Sequence, residues 1–272
     1  MKKWVSILMV MLVLLTGCSA HKQGTIKTGK LRATAFALVS SAENSTTDYP
    51  KQYAYIEDIG DGRGYTGGII GFTSRTGDMF DVVRKYVELR PHHNGLVKYL
   101  SALKAVKGTD SHQGLGQPFE QAWQKAAHDK EFIAAQNAIL NRQYLNVALR
   151  YARRDQLGPL GQYIYYDALV VHGPGTTHDK TSFQGIRRSA WRLAKTPAQG
   201  GDEGKYLNAF LDARTPIMKR EKAHRDLSRL KVQRRLIREK KFNLQLPLRW
   251  TMYGDKYHLT EKDVLRLEKQ SE

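Results

Sequence analysis

Between residues 53 and 72 the pattern of this chain changes, and that break limits the folds open to it. YAYIEDI is aromatic and β-branched, GDGRG follows as a glycine-rich turn, and YTGGIIGF returns to strand-forming residues. The stretch reads as a β-hairpin, or as strand, loop and strand. Almost everything else carries apolar residues at helical spacing. Residues 31–44 set Leu31, Ala35, Leu38, Val39 and Ala42 on one face; 77–89 does the same with Phe80, Val83, Tyr86 and Val87, after Thr76 as a cap. Further helices are predicted over 94–106, 118–127, 130–155, 159–172, 184–195, 203–213, 217–230 and 232–241, with HQGLGQP, HGPG and KTPAQGGD as punctuation. There is no βαβ alternation, which excludes a doubly wound sheet, and no internal repeat. The expected fold is mainly α with a small β ribbon.

The 272 residues include 44 Lys plus Arg against 26 Asp plus Glu, a formal net charge of +18. A hydrophobic content of 41% rules out disorder for the bulk of the chain. A single Cys excludes a disulfide framework and any thiolate metal cluster. The charge alone points to nucleic acid, an anionic membrane or a polyanionic substrate. The N-terminus narrows that choice. Lys2 and Lys3 precede an apolar run from Trp4 to Leu15, too short to cross about 30 Å of hydrocarbon, and Leu15-Thr16-Gly17-Cys18 resembles a bacterial lipobox. Residues 1–17 therefore read as a lipoprotein-type signal peptide with Cys18 as the lipidation site; an ordinary signal with an incidental Cys is the plainer alternative. Polar, glycine-containing 18–30 reads as a flexible tether. The chain is expected to be exported, to meet a membrane only through that anchor, and to bind no nucleic acid.

Two carboxylates frame the β element. Glu43, in SSAEN, falls at the end of the first helix, where the helix dipole disfavours an ionised carboxylate, as a general acid requires. Asp61 lies in GDGRGYTGG, where glycines keep bulk away from an approaching substrate. One carboxyl pushed towards neutrality and one left ionised is the arrangement of glycoside hydrolysis. The same two residues also read as a solvated helix end and a turn former, and spacing alone does not separate the readings. The glycine-rich loop lacks the GK[ST] ending of a phosphate-binding loop.

The stretch ALVSSAENSTTDYPKQYAYIEDIGDGRGYTGGIIGFTSRTGDMF resembles the catalytic segment of the bacterial chitosanases of glycoside hydrolase family 46. The likeness continues through GLGQPFEQAW, YYDALVVHGPG, TPAQGGDE, YLNAFLDAR and LRWTMYGD, and so covers roughly residues 31 to 258. It implies an α+β, mainly α, two-lobed lysozyme-like fold with a substrate cleft between the lobes, a catalytic domain over 31–260 and a polar C-terminal tail over 261–272. It implies an endo-acting enzyme that cleaves β-1,4 links between glucosamine units of chitosan with inversion, as a monomer without a cofactor. Position by position, Glu43 would be the general acid, Asp61 the general base and Thr66 the holder of the attacking water. Inversion leaves room for that water, with carboxyls about 6.5–9.5 Å apart or more.

The resemblance further implies a relay of Asp167, Arg214, Arg229 and Glu43. The residues support one part independently: Asp167 sits in YIYYDALVV, apolar nearly all round, so its charge needs a cationic partner. Arg214 and Arg229 would share a face if one helix carried both, although Pro216 opposes continuity. An Arg beside Glu43 favours the ionised carboxylate, against the helix end; the pair reads as orienting Glu43. Tyr55, Arg63, Asp78 and Glu221 match substrate contacts of the family, while strand packing, a helix-start acid and a solvated helix face are the competing readings. Two departures stand out: Tyr49 where some relatives carry Trp, and Arg225 after His224 where some carry Asp. Trp123 and Trp250 read as core. His92, His93, His112, His172 and His224 make no HExxH or Cys/His cluster, so no metal is expected. Other readings are a lysozyme-like peptidoglycan glycosidase and a non-catalytic basic lipoprotein that binds an anionic envelope polymer. The charge is uneven: 31–90 has a net charge of −1 and 214–250 of +10. The overall charge therefore does not exclude a polycation at the candidate site.

Overall fold

The computed structural model describes residues 24–271; the expected signal peptide, Cys18 and the first part of the tether lie outside them. The smaller lobe is an antiparallel sheet of β1 (Ile56–Asp58), β2 (Tyr65–Gly67) and β3 (Phe72–Thr73) with α2 (Asp78–Leu89), α3 (Leu100–Ala105) and α4 (Gln117–Ala126). The larger lobe packs around two helices whose sequences are apolar on nearly every side. These are α1 (Gly29–Glu43), buried without a break from Ala33 to Ser41, and α7 (Pro159–His172), buried from Pro159 to Leu169. Phe36 of α1 stacks on Tyr166 of α7 with ring centroids 5.2 Å apart. Around them lie α6 (Asn146–Asp155), α8 (Phe183–Trp191), α9 (Glu203–Met218), α10 (Ser228–Arg238) and α11 (Glu261–Ser271). This mainly helical, two-lobed α+β arrangement agrees with the expected fold class.

The lobes are joined by α5 (Lys130–Leu140), which packs on α2 and continues into α6, which packs on α7. The sequence pattern predicts one helix over 130–155; a π-turn at Asn141–Leu145 divides it and sets Tyr144 in the wall of the cleft. Such turns recur at functional sites because the extra residue re-aims side chains. Gln136 of α5 is fully buried and stitches the sheet to the spine: its Oε1 accepts from Ile69 N (3.1 Å) and its Nε2 donates to Tyr53 O (2.9 Å). A side chain at Gly68 (φ 79°) would meet that amide oxygen at 2.5 Å, so the position requires glycine.

Several expectations need correction. No helix spans 217–230: α9 runs through Pro216 to Met218, a short 3-10 turn covers Lys222–His224, and α10 starts at Ser228. A second hairpin, β4 (Leu248–Met252) with β5 (Asp255–Leu259), was not foreseen. Its two loop residues, Tyr253 and Gly254, both have positive φ, the geometry a tight two-residue hairpin demands. The described part of the expected polar C-terminal tail is helical. Through Ser271 it forms α11, which buries Val264 and Leu267 against α1 and the 3-10 turn Tyr49–Ala54. The tether is already docked at Gly24, whose carbonyl accepts from Gln162 Nε2 (3.1 Å), while Ile26 is fully buried. Thr76 is not the cap of α2, since Gly77 takes that position.

Candidate active site

A cleft of about 400 Å³ opens between the sheet and the larger lobe, lined by Glu43, Tyr55, Arg63, Thr66, Asp78 and Tyr144 among others. Glu43 is the last residue of α1 and its side chain is 36% exposed. The buried underside of that helix end is tied down by Trp250 Nε1, which donates to Ser41 Oγ at 2.9 Å. The carboxylate then has one strong partner, Arg229, whose Nη2 donates to Oε1.

Arg229 is held from behind. Its Nε donates to Asp167 Oδ1 (2.6 Å), and Arg214 Nη1 and Gln233 Nε2 donate to Oδ2 (2.7 and 2.8 Å). Asp167, Arg214 and Arg229 are all enclosed, at 0%, 0% and 1% exposure. Burial alone would raise the Asp167 pKa, but Arg229 and Arg214 outweigh it and hold the carboxyl well below the usual range. The guanidiniums respond in opposite directions. Burial lowers that of Arg214, whereas on Arg229 the attraction of Asp167 and Glu43 overcomes burial and raises it. Both remain cations, because arginine does not give up its proton in a protein. Arg214 Nε also donates to His172 Nε2 (2.9 Å), which places the imidazole proton on Nδ1. Burial, then Arg214, pushes His172 down to about 3, so it is neutral. Sequence reading placed neither His172 nor Gln233 in this network. The two arginines come from separate helices, α9 and α10, and meet only through Asp167.

Across the cleft, β1 and β2 pair with Glu57 opposite Thr66 and Asp58 opposite Tyr65. The turn between them holds Asp61, with Gly60, Gly62 and Gly64 all at positive φ. Asp61 does form a turn: Oδ1 accepts from Arg63 N at 3.0 Å, and Oδ2 accepts from Arg63 Nε at 2.7 Å. Arg63 holds the Asp61 carboxyl below its ordinary pKa, so it is ionised at neutral pH. Asp61 stands on the rim of the cleft, outside the residues that line it. Thr66 is buried, and its Oγ1 has no hydrogen-bond partner among the described residues. Such an orphan is rare enough to call for a reason, and a bound water or ligand is the common one.

Asp78 starts α2 and directs Oδ1 to Thr73 N (2.7 Å), Thr76 Oγ1 (2.6 Å) and Met79 N (2.9 Å). Burial raises its pKa in spite of those donors. It thus serves the helix start and the cleft wall together. Tyr55 donates to Glu57, and burial followed by that carboxylate pushes the phenol up to about 12. Glu221 lies outside the cleft lining, next to His224 (3.6 Å). Tyr49 does not reach the cleft. It is 2% exposed and accepts from Ser271 Oγ at 2.8 Å, so it docks α11. Trp123 (0%) and Trp250 (3%) belong to the core. Among the described residues no group of three or more His, Cys, Asp and Glu is placed to hold a metal ion, and no helix is long and apolar enough to cross a membrane.

A mainly helical enzyme of two lobes, with carboxylates on both sides of a cleft, has the layout of the lysozyme-like glycosidases. Comparison with known proteins makes the assignment specific. The profile of glycosyl hydrolase family 46 matches residues 37–248. A chitosanase of Streptomyces sp. (strain N174) is 55% identical over 82% of this chain and 80% of its own. One of Nocardioides sp. (strain N106) is 54% identical over 82% and 79%. Among solved structures, a chitosanase co-crystallised with substrate superposes with a TM-score of 0.79 at 52% identity, covering 87% of this chain and all of the other. The chain belongs to glycosyl hydrolase family 46, and it is a glycoside hydrolase.

Proposed function

We propose that this hydrolase is an endo-acting chitosanase that cleaves β-1,4 links between glucosamine units with inversion. Glu43 is the general acid that protonates the glycosidic oxygen, and Asp61 is the general base that activates a water on the opposite face of the sugar. Thr66 orients that water with a hydroxyl that has no hydrogen-bond partner among the described residues. Tyr55, Arg63, Asp78 and Glu221 hold glucosamine units, and Asp167, Arg214 and Arg229 position Glu43. The observation that carries the reading is the pairing of unlike carboxylates: Glu43 is anchored through Arg229 to a buried network, while Asp61 is kept ionised in a solvated turn. Electrostatics support a polyamine substrate. The sheet side offers Glu57, Asp58, Asp61 and Asp78, with Arg63 already engaged by Asp61 and Arg75 by the Gly62 carbonyl, and the opposite wall adds Glu43. The chitosanases at 55% and 54% identity point to the same substrate.

Purified enzyme should release glucosamine oligomers from highly deacetylated chitosan, and far less product from chitin or peptidoglycan. Glu43→Gln and Asp61→Asn should each lower turnover by about 10²- to 10⁴-fold, the usual weight of a general acid or base, with unchanged circular dichroism. Muramic-acid products from peptidoglycan would contradict the substrate, and full activity in either variant would contradict that residue's role.

A further inference from the structure

The described chain enters the fold at Gly24, on the side of the larger lobe away from the cleft. Gly24 lies against Leu31 and Pro159, and with Arg153 and Leu157 it lines a shallow pocket. From there α1 runs to Glu43 and α7 runs to His172, each about 20 Å along its axis. α6 runs the opposite way, from near Tyr144 to Asp155. α8 also leaves the cleft side, where Phe183 N donates to Gly173 O (3.1 Å), and ends at Trp191. The Arg187–Asp155 ion pair brings the far ends of α6 and α8 together, and Arg187 stacks between Tyr151 (4.8 Å) and Trp191 (4.0 Å). The far ends of these helices thus form one face, with the N-terminal entry beside it.

That face is basic and partly apolar. Arg150, Arg153, Arg154, Arg188, Arg192 and Lys195 are exposed, and none forms an ion pair among the described residues. The sequence has no acid from 180 to 201, and Asp155 is buried under Arg187. Set among these cations, Trp191 is 40% exposed and Leu193 is 63% exposed.

We propose that this face docks on an anionic phospholipid bilayer and holds the cleft open towards the polymer outside. Each Lys or Arg near such a surface strengthens binding by about fivefold. An exposed indole and an isobutyl group among cations suit the headgroup boundary, whereas a soluble polyanion has no use for them. Cys18, in its lipobox-like setting, precedes Gly24 by six residues, so a fully extended chain would place an acyl anchor within about 20 Å of this face. The proposal is independent of the substrate and of the roles given to Glu43 and Asp61.

The test is co-sedimentation of the chain starting at Ser19, which carries neither the apolar segment of residues 4–15 nor an acyl group, with vesicles of phosphatidylglycerol and phosphatidylcholine in equal parts. The protein should bind these vesicles and not phosphatidylcholine alone. Removing three cations (Arg188→Gln, Arg192→Gln, Lys195→Gln) should weaken partitioning about 100-fold, at fivefold each. Trp191→Ser with Leu193→Ser should weaken it about tenfold or more with no change in charge. Leu193→Ser alone, outside the Arg187 stack, keeps the test readable if Trp191→Ser loosens that stack. Removing three small-lobe cations (Lys98→Gln, Lys104→Gln, Lys125→Gln) should have little effect. An equal loss in the small-lobe variant would overturn the proposal, because net charge would then suffice. So would binding that ignores Trp191 and Leu193 and is fully competed by teichoic acid, since that would identify a soluble polyanion as the partner.

Discussion

Replacing Asp167 by Asn tests whether the buried network is held by charge or by shape. The substitution preserves size and one acceptor but removes the single carboxylate between two enclosed guanidiniums, at 2.7 Å from Arg214 and 2.6 Å from Arg229. Arg229 keeps Glu43 as a counter-charge; Arg214 keeps only the neutral His172 and a 3.4 Å contact with Gln233 Oε1. Breaking one partner out of a buried pair costs about 3–5 kcal/mol. For a domain of this size each kcal/mol is worth about 2–4 °C, so the melting midpoint should fall by roughly 6–20 °C at neutral pH. The dependence on pH separates charge from packing. In the folded protein Asp167 ionises at lower pH than in the unfolded chain. Its contribution is therefore complete above about pH 4 and is lost as pH falls towards the folded value. Thermal unfolding of both proteins, followed by calorimetry from pH 7 downwards, should show a gap that narrows in acid. A gap below about 1 kcal/mol at pH 7, or one that is constant with pH, would refute the reasoning.

Three other outcomes follow from the site and its scaffold. Thr66→Val deletes a buried hydroxyl that has no partner among the described residues, so stability should hold or rise slightly while turnover on chitosan falls by about 10²-fold or more; equal loss of both would show that the hydroxyl is structural. Arg63→Ala removes the main influence holding the Asp61 pKa down, so the acid limb of the pH profile for kcat/KM should move to higher pH; an unmoved limb would detach Arg63 from the ionisation that limits activity. Leu267→Ala should cost about 2–5 kcal/mol in denaturant unfolding because Leu267 is the fully buried side chain by which α11 packs on α1; a loss below about 0.5 kcal/mol would mean that α11 is not docked.

The parts of the fold that were legible in the sequence are those where a local rule speaks. The change from helical spacing to YAYIEDI marked the sheet, and the glycines of GDGRG marked the turn that carries Asp61. Asp167 was legible because a carboxylate inside an apolar helix must find a cation. Which cations answer was not legible locally, since Arg214 and Arg229 lie 47 and 62 residues away on two helices separated by an irregular turn. α11 was missed because its buried face is narrow, Val264 and Leu267 among polar neighbours, and only packing against α1 makes it a helix. The β4–β5 hairpin had a usable signal in the alternation of Leu248, Trp250 and Met252 before Tyr-Gly, which ridge-like helical spacing nearby obscured. Thr66 could not be singled out by residue type, because its distinguishing property is a buried hydroxyl that no described residue partners.

The central claim is that Glu43 and Asp61 act on opposite faces of one glycosidic bond, with water as the nucleophile. The most direct measurement is the anomeric form of the first reducing ends released from a β-1,4 glucosamine hexamer, followed by proton NMR before mutarotation. The account predicts that the α-anomer appears first and the β-anomer grows in later. If the β-anomer appears first, the configuration is retained, a covalent intermediate replaces direct attack by water, and the roles given to Asp61 and Thr66 fail.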